Sequence, residues 1–318
     1  MLNIDSILMA QKRIEPYIYK TPIIPSQNLG EILGCEVFIK PECMQRTNSF
    51  KIRGALNKML SMPKDEVQRG VVAASSGNHG KGVAFAAKLL GVKATIVIPD
   101  TAPQIKVDGI KDLGAEVIQC KLSERHIIAN ELSEKYGYIN IHPYNDYDIM
   151  AGQGTIGLEI VEQLKDVDTV VVPIGGGGLI AGISTAVKSK LPDVKIVGAE
   201  PYNLRRYAKS IEAGERVQLE EQKSEADALL TSTPGEKNYP IVSSLVSEFV
   251  GVKDEYLLKA MKLLLMEGKI LAEPSSCIGI GAILQGELKV KRDEKICFVV
   301  SGGNTGIDKI KELEGISI

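Results

Sequence analysis

The sequence predicts an α/β protein of two domains, each an open, twisted, mainly parallel sheet. Three observations carry this. The chain has 318 residues, about two domains at roughly 100–200 residues each. Apolar runs of strand length alternate with helical stretches of about 10–15 residues, the signature of βαβ units. Gly/Ser-rich turns directly follow three of the apolar runs, and open α/β sheets bind ligands outside the carboxyl ends of their strands.

The elements follow in order. Val71–Ser76 is apolar and ends in the turn Ser75–Gly80, after which Lys81–Leu90 reads as helix. Ala94–Pro99 is a strand, a helix follows near Gln104–Leu113, and Ala115–Cys120 is a strand again. A helix near Ser123–Tyr136 leads into Ile139–His142. Thr169–Ile174, Lys195–Ala199 and Lys295–Ser301 are later strands with helical segments between them. Continuous apolar runs such as Thr169–Ile174 fit sheets covered on both faces. The polar stretch Glu212–Lys237 is the best candidate for a mobile surface segment.

Composition narrows the function. Hydrophobic residues are 44% and charged residues 25%, and the net charge is −2. This is the profile of a globular protein with ample core and without the basic footprint of nucleic-acid binders. No apolar run approaches the roughly 18 residues of a membrane helix. The N-terminus lacks a signal pattern, and the five scattered cysteines (Cys35, Cys43, Cys120, Cys277, Cys297) read as reduced, packed thiols. Together these predict a cytoplasmic protein. The three histidines (His79, His126, His142) show no metal-ligand spacing, so no metal site is expected.

Three motifs carry chemistry. Gly175-Gly176-Gly177-Gly178 follows a strand and precedes a helix. It reads either as a tight βα turn or as a phosphate cup, in which backbone N–H groups and a helix N-terminus converge on an anion. In Ser49–Ala55, Lys51 is either a solvated lysine or an amine desolvated by Phe50 and Ile52 toward nucleophilic use. Ser75–Gly80 offers hydroxyls, an amide and free N–H groups suited to a carboxylate, with local capping as the expected role of His79. Gly152-Gln153-Gly154-Thr155-Ile156-Gly157 matches a dinucleotide fingerprint, but no strand precedes it, so it reads as a helix start with small packing residues. Neither Walker A spacing nor a G-x-S-x-G elbow is present.

Ser49–Ala55, Ser75–Gly80, Ala151–Thr155, Gly175–Gly178, Glu273–Pro274 and Ser301–Asn304 occur in an order and spacing that resembles the fold-type II, tryptophan synthase β-like pyridoxal-phosphate enzymes. The match is to the branch of serine/threonine dehydratases (ammonia-lyases) and serine racemases. The resemblance implies roles residue by residue. Lys51 would link covalently to the aldehyde of pyridoxal 5'-phosphate, and Phe50 would pack beside the ring. Asn78 would bond the 3-hydroxyl oxygen, Gly175, Gly176, Gly177 and Gly178 would hold the phosphate, and Ser301 would meet the pyridine nitrogen. Glu273 would lie near the ring. Ser75, Ser76, Gly77, Asn78 and His79 would grip the substrate carboxylate, Tyr144 would line the substrate site, and Ser76 would be the second acid/base opposite Lys51. The resemblance also implies a large domain of residues 1–69 and 148–318, a small mobile domain of residues 70–147, and a homodimer.

The reaction implied is loss of water and ammonia from L-threonine, L-serine or a related 3-hydroxy amino acid, giving a 2-oxo acid. A serine at the ring nitrogen makes a weaker electron sink than a carboxylate, which favours prompt loss of a β-leaving group. Lys51 is placed to remove the Cα proton, and the phosphate can protonate the departing hydroxyl. Rival readings are an amino acid racemase, a β-replacing synthase, and a non-catalytic anion- or nucleotide-binding protein.

Several positions depart from the family pattern. Tyr144 replaces the racemase asparagine and favours a dehydratase, whereas Ser76 is retained where many threonine dehydratases have alanine. Ala226-Asp227-Ala228 replaces Ala-Asp-Gly, which narrows space near the ring. Lys81 replaces a nucleotide-binding glutamine, so nucleotide activation is not expected. Arg206 stands where metal-binding relatives place an acid six residues after the Glu200 equivalent. It either pairs with Glu200 and takes over the cation's charge, since a guanidinium cannot ligate one, or is a solvated arginine on a helix face. The chain ends soon after Ser301–Gly306, without the regulatory domain of biosynthetic threonine dehydratases, so isoleucine feedback is not expected.

Overall fold

The structure, a computed structural model, describes residues 1–102 and 104–318. Its strands in chain order are β1 (Ile24–Pro25), β2 (Glu36–Pro41), β3 (Val71–Ala74), β4 (Ala94–Pro99), β5 (Glu116–Cys120), β6 (Ile139–Asn140), β7 (Thr169–Pro173), β8 (Lys195–Pro201), β9 (Glu248–Val252) and β10 (Lys295–Val300). They form a six-stranded sheet, β1-β2-β10-β7-β8-β9, and a four-stranded sheet, β5-β4-β3-β6. Every pairing is parallel except that of β1 with β2. The strands β3, β4, β7 and β10 are apolar and buried along most of their length because helices cover both faces.

Sequence patterning missed β1, β2 and β9. In β2 charged Glu36 and Lys40 interrupt the apolar run, and the buried Lys40 amine is satisfied by Glu159 and the Thr21 carbonyl, each at 2.6 Å. The strand β9 is a short Glu-Phe-Val-Gly-Val segment with mixed burial. The run Ile139–His142 pairs only over Ile139 and Asn140.

One boundary is corrected. The helix expected to start at Gly152 runs over Tyr147–Gln163. Its start is set by Asp146, whose Oδ1 accepts from the N–H groups of Asp148 and Ile149 at 2.8 and 3.2 Å. The glycines therefore lie mid-helix, where they cost helix propensity but permit close packing. A Cβ on Gly152 would stand 2.5 Å from the Arg53 carbonyl, and one on Gly154 would stand 2.9 Å from the Gly182 carbonyl. The helices Lys51–Ser61, Tyr147–Gln163 and Gly178–Lys190 thereby pack backbone to backbone. Among the described residues, no helix is long and apolar enough to cross a membrane.

This architecture sets where the loops open. The strands β7 and β10 are parallel neighbours, with Phe298 opposite Val171. The glycine turn after β7 and the serine turn after β10 therefore emerge at the same end of the larger sheet. The turn after β3 reaches them from the smaller sheet.

Candidate active site

Lys51 is the first residue of its helix, and the chain around it is pinned to the turn after β10. Ser49 bridges Gly302, and the Phe50 N–H donates to the Ser301 carbonyl at 3.1 Å. The Lys51 amine donates to the Pro143 carbonyl at 2.9 Å and lies 5.1 Å from the Phe50 ring centroid. A carbonyl, not a carboxylate, holds this amine. Burial lowers its pKa to about 8, opposed by the charge of Glu273.

The turn after β3 joins this group through Asn78. The Asn78 Nδ2 donates to Glu273 Oε1 at 2.8 Å, and its Oδ1 accepts from Asn304 Nδ2 at 2.7 Å. Lys81, one turn along the same helix, donates to Asn304 Oδ1 at 2.9 Å. Glu273 is pushed up to about 7 by burial and the nearby Asp227. Ser75, Ser76 and Gly77 are half-buried, and the Gly77 N–H donates to Ser75 Oγ at 3.3 Å. His79 differs from expectation. It does not cap its own helix; its Nε2 bonds the Ile141 carbonyl at 2.7 Å. That oxygen can only accept, so the proton is on Nε2. Burial and the Lys51 charge lower His79 to about 3.

The glycine turn is walled on two sides. A Cβ on Gly176 would run into the Tyr144 ring, and one on Gly178 would stand 2.9 Å from the Tyr144 Cβ. A Cβ on Gly177 would strike the Tyr207 hydroxyl, and Gly177 has φ +97°, a left-handed conformation that favours glycine. The N–H groups of Gly175, Gly176 and Gly177 donate to no acceptor among the described residues. Unpaired donors beside the start of the helix Gly178–Lys190 are the chemistry a phosphate needs, so the turn fits that group. Tyr144 also sits next to Pro143, which links this turn to the Lys51 amine.

Ser301 is buried, with its Oγ 2.9 Å from Ser276 Oγ, which accepts from the Gly302 N–H at 2.7 Å. Ser301 thus presents a neutral hydroxyl. Sequence reasoning missed Ser276, although it lies just beyond the Glu273–Pro274 block. It also missed Tyr207 and Asn238. Asn238 is buried, and its Nδ2 donates to the Tyr144 carbonyl at 3.0 Å. The only local signal for Asn238 was the Pro234-Gly235 turn. The Ala226–Leu229 turn passes the glycine turn, with the Ala228 carbonyl 3.5 Å from where a Gly175 Cβ would be. Arg206 is fully buried, not solvated, with its Nε 3.8 Å from Glu200 Oε1. Among the described residues, no cluster of three or more His, Cys, Asp or Glu side chains is arranged to hold a metal ion.

The two parallel sheets, the desolvated lysine and the unpaired glycine donors at their strand ends define an α/β enzyme that uses a phosphorylated cofactor. A family profile described as pyridoxal-phosphate dependent enzyme matches residues 14–302. The chain is 41% identical over 315 residues to the L-threonine ammonia-lyase of Thermotoga maritima, covering 98% of this chain and 78% of that one. It is equally 41% identical over 315 residues to the catabolic L-threonine dehydratase TdcB of Staphylococcus aureus, covering 98% of this chain and 91% of the relative. Its fold superimposes on maize serine racemase with a TM-score of 0.94 at 38% identity, over 98% of this chain and 96% of that one. The chain belongs to the pyridoxal-phosphate dependent enzyme family, and pyridoxal 5'-phosphate is its cofactor. The reading as a non-catalytic anion-binding protein gives way to that of an enzyme.

Proposed function

We propose that the chain is an ammonia-lyase that removes water from L-threonine or L-serine and releases a 2-oxo acid and ammonia. The observation that carries this is the Lys51 amine, held by the Pro143 carbonyl with a pKa of about 8. Such an amine can take a proton near neutral pH. Pyridoxal phosphate, when bound, withdraws electrons from the substrate Cα. Lys51 takes the Cα proton, and an equivalent proton leaves with the β-hydroxyl as water. The freed enamine tautomerises and hydrolyses, which releases ammonia. Ser301 would meet the ring nitrogen with a neutral hydroxyl, a weaker electron sink than a carboxylate would make there. Asn78 and Glu273 would orient the ring, the Gly175–Gly178 turn would hold the phosphate, and Ser75–His79 would bind the substrate carboxylate. The neutral His79 ring donates its one N–H to the Ile141 carbonyl, so it anchors this loop and does not itself donate to the carboxylate. Tyr144, whose ring lies beside the glycine turn, would line the substrate site. In the same reading residues 70–147 move as a small domain over the cleft, and the enzyme acts as a cytoplasmic homodimer.

A 2-oxo acid assay across 3-hydroxy amino acids of both chiralities tests this. L-Threonine and L-serine should give product, and Lys51→Ala should abolish both the activity and any borohydride-fixed cofactor on the protein. Cofactor still fixed in that variant would refute the role of Lys51.

Ser76 favours a second activity, racemisation, because a planar Cα reprotonates on the far face only if an acid stands there. Ser76→Ala should remove any racemisation and any action on D-substrates while sparing L-elimination. Equal loss of both would make Ser76 a carboxylate contact only.

A further inference from the structure

The glycine turn is held from its carbonyl side. Arg206 Nη1 donates to the carbonyls of Ile174 at 2.9 Å and Gly175 at 3.0 Å. The Gly176 carbonyl accepts from the Tyr207 hydroxyl at 2.9 Å and the Gly235 N–H at 3.1 Å. Three consecutive carbonyls are thus drawn toward one pair of side chains. Across a trans peptide the following N–H points the opposite way, and no cis peptide occurs among the described residues. The N–H groups of Gly175, Gly176 and Gly177 are therefore turned away from Arg206 and Tyr207, toward the side where an anion would sit.

Four successive glycines have no side chains with which to hold this shape, and they lose more backbone freedom on ordering than other residues. The restraint must come from elsewhere. Arg206 and Tyr207 open the helix Arg206–Ala213, and both are fully buried. Glu200 fixes that helix start by accepting from the N–H groups of Tyr207 at 2.9 Å and Ala208 at 3.0 Å. Arg206 Nη2 closes the arrangement on the Leu204 carbonyl at 2.6 Å. The Tyr207 ring is stacked on Phe249 with centroids 6.1 Å apart, so its hydroxyl has little freedom to leave the turn.

We propose that Arg206 and Tyr207 are positioning residues for the cofactor phosphate: by holding the carbonyls of 174–176 they aim the glycine N–H groups at it. This rests on the reading that Gly175–Gly178 takes the phosphate. Neither side chain touches the cofactor; each acts through the backbone. The two should therefore govern affinity for the phosphate end and not for the ring.

Full-length protein stripped of cofactor is titrated with pyridoxal 5'-phosphate and, separately, with pyridoxal, which lacks the phosphate. Thermal unfolding is followed in parallel. Tyr207→Phe keeps the ring packing and removes one hydrogen bond to a buried carbonyl, so pyridoxal phosphate should bind about tenfold more weakly while pyridoxal binds as before. Arg206→Lys keeps the charge but cannot span three carbonyls, and it should give a larger loss with the same selectivity. Gly177→Val is the reference and should lose pyridoxal phosphate strongly. If Gly177→Val weakens binding while Tyr207→Phe and Arg206→Lys bind like the parent, the positioning role is wrong and the phosphate reading stands. If Gly177→Val also binds like the parent, the phosphate reading itself fails. Equal weakening toward both ligands in Tyr207→Phe would mean general loosening and would overturn the proposal.

Discussion

At Lys51 two opposing influences set the charge of one amine. Burial disfavours the ammonium and brings its pKa from the ordinary 10.5 to about 8, while the Glu273 carboxylate pushes it back up. The neutral amine is the form that attacks an aldehyde, and its fraction grows as pH rises through the pKa. Capture of pyridoxal phosphate by the stripped protein should therefore accelerate with pH around a midpoint near 8. Glu273→Gln removes a charge that stabilises the ammonium, so the midpoint should move lower still. A midpoint near 10.5, the ordinary lysine value, would show a solvated amine. Burial lowers His142 to about 4 and His79 to about 3, so both stay neutral across this range and neither should add a limb to the profile.

Between elements, the decisive contacts are backbone to backbone. The helices Tyr147–Gln163 and Gly178–Lys190 approach so closely that a Cβ on Gly182 would collide with the Met150 carbonyl and stand 2.6 Å from the Gly154 nitrogen. Both neighbours are main chain and cannot swing aside. Gly182→Val should therefore destabilise by about 3 kcal/mol, through overpacking. Urea unfolding would show this as a lower midpoint at unchanged slope. A near-parent midpoint would mean that the helices can separate without loss. This contact also explains the misplaced helix start at Gly152. Small residues that mark a turn and small residues that mark a helix crossing look alike until the partner helix is known.

Across the molecule, four buried charges join segments distant in sequence. Arg53 meets Glu42 at 2.8 Å and Glu159 at 2.6 Å, and Lys40 meets Glu159 at 2.6 Å. The group is balanced in charge, and each side chain is at most 5% exposed. It ties β2 and the residues just after it to the Lys51 helix and to the helix Tyr147–Gln163. Arg53→Met would leave two buried carboxylates facing only Lys40, at a cost of about 3–5 kcal/mol. Thermal unfolding should fall accordingly. A variant as stable as the parent would show that the carboxylates protonate or rehydrate without penalty.

The α/β class and the turns at strand ends can be read from the sequence alone, as can the candidate blocks around Lys51, Ser75–Gly80 and Gly175–Gly178. These were legible because apolar periodicity and glycine requirements are local: a strand or a phosphate-sized turn imposes its residue types on adjacent positions. Tertiary structure alone decided the rest. Arg206 could have been a solvated helix residue, yet it lies under the glycine turn bonded to the Ile174 and Gly175 carbonyls. His79 could have capped its own helix, yet its partner is the Ile141 carbonyl. Tyr207 carries no local mark, and Asn238 and Ser276 have only the neighbouring Pro234-Gly235 turn and Glu273–Pro274 block to point to them. Their roles come from which carbonyl or hydroxyl the fold sets beside them, and a polar side chain in the sequence does not say where its hydrogen bond will go.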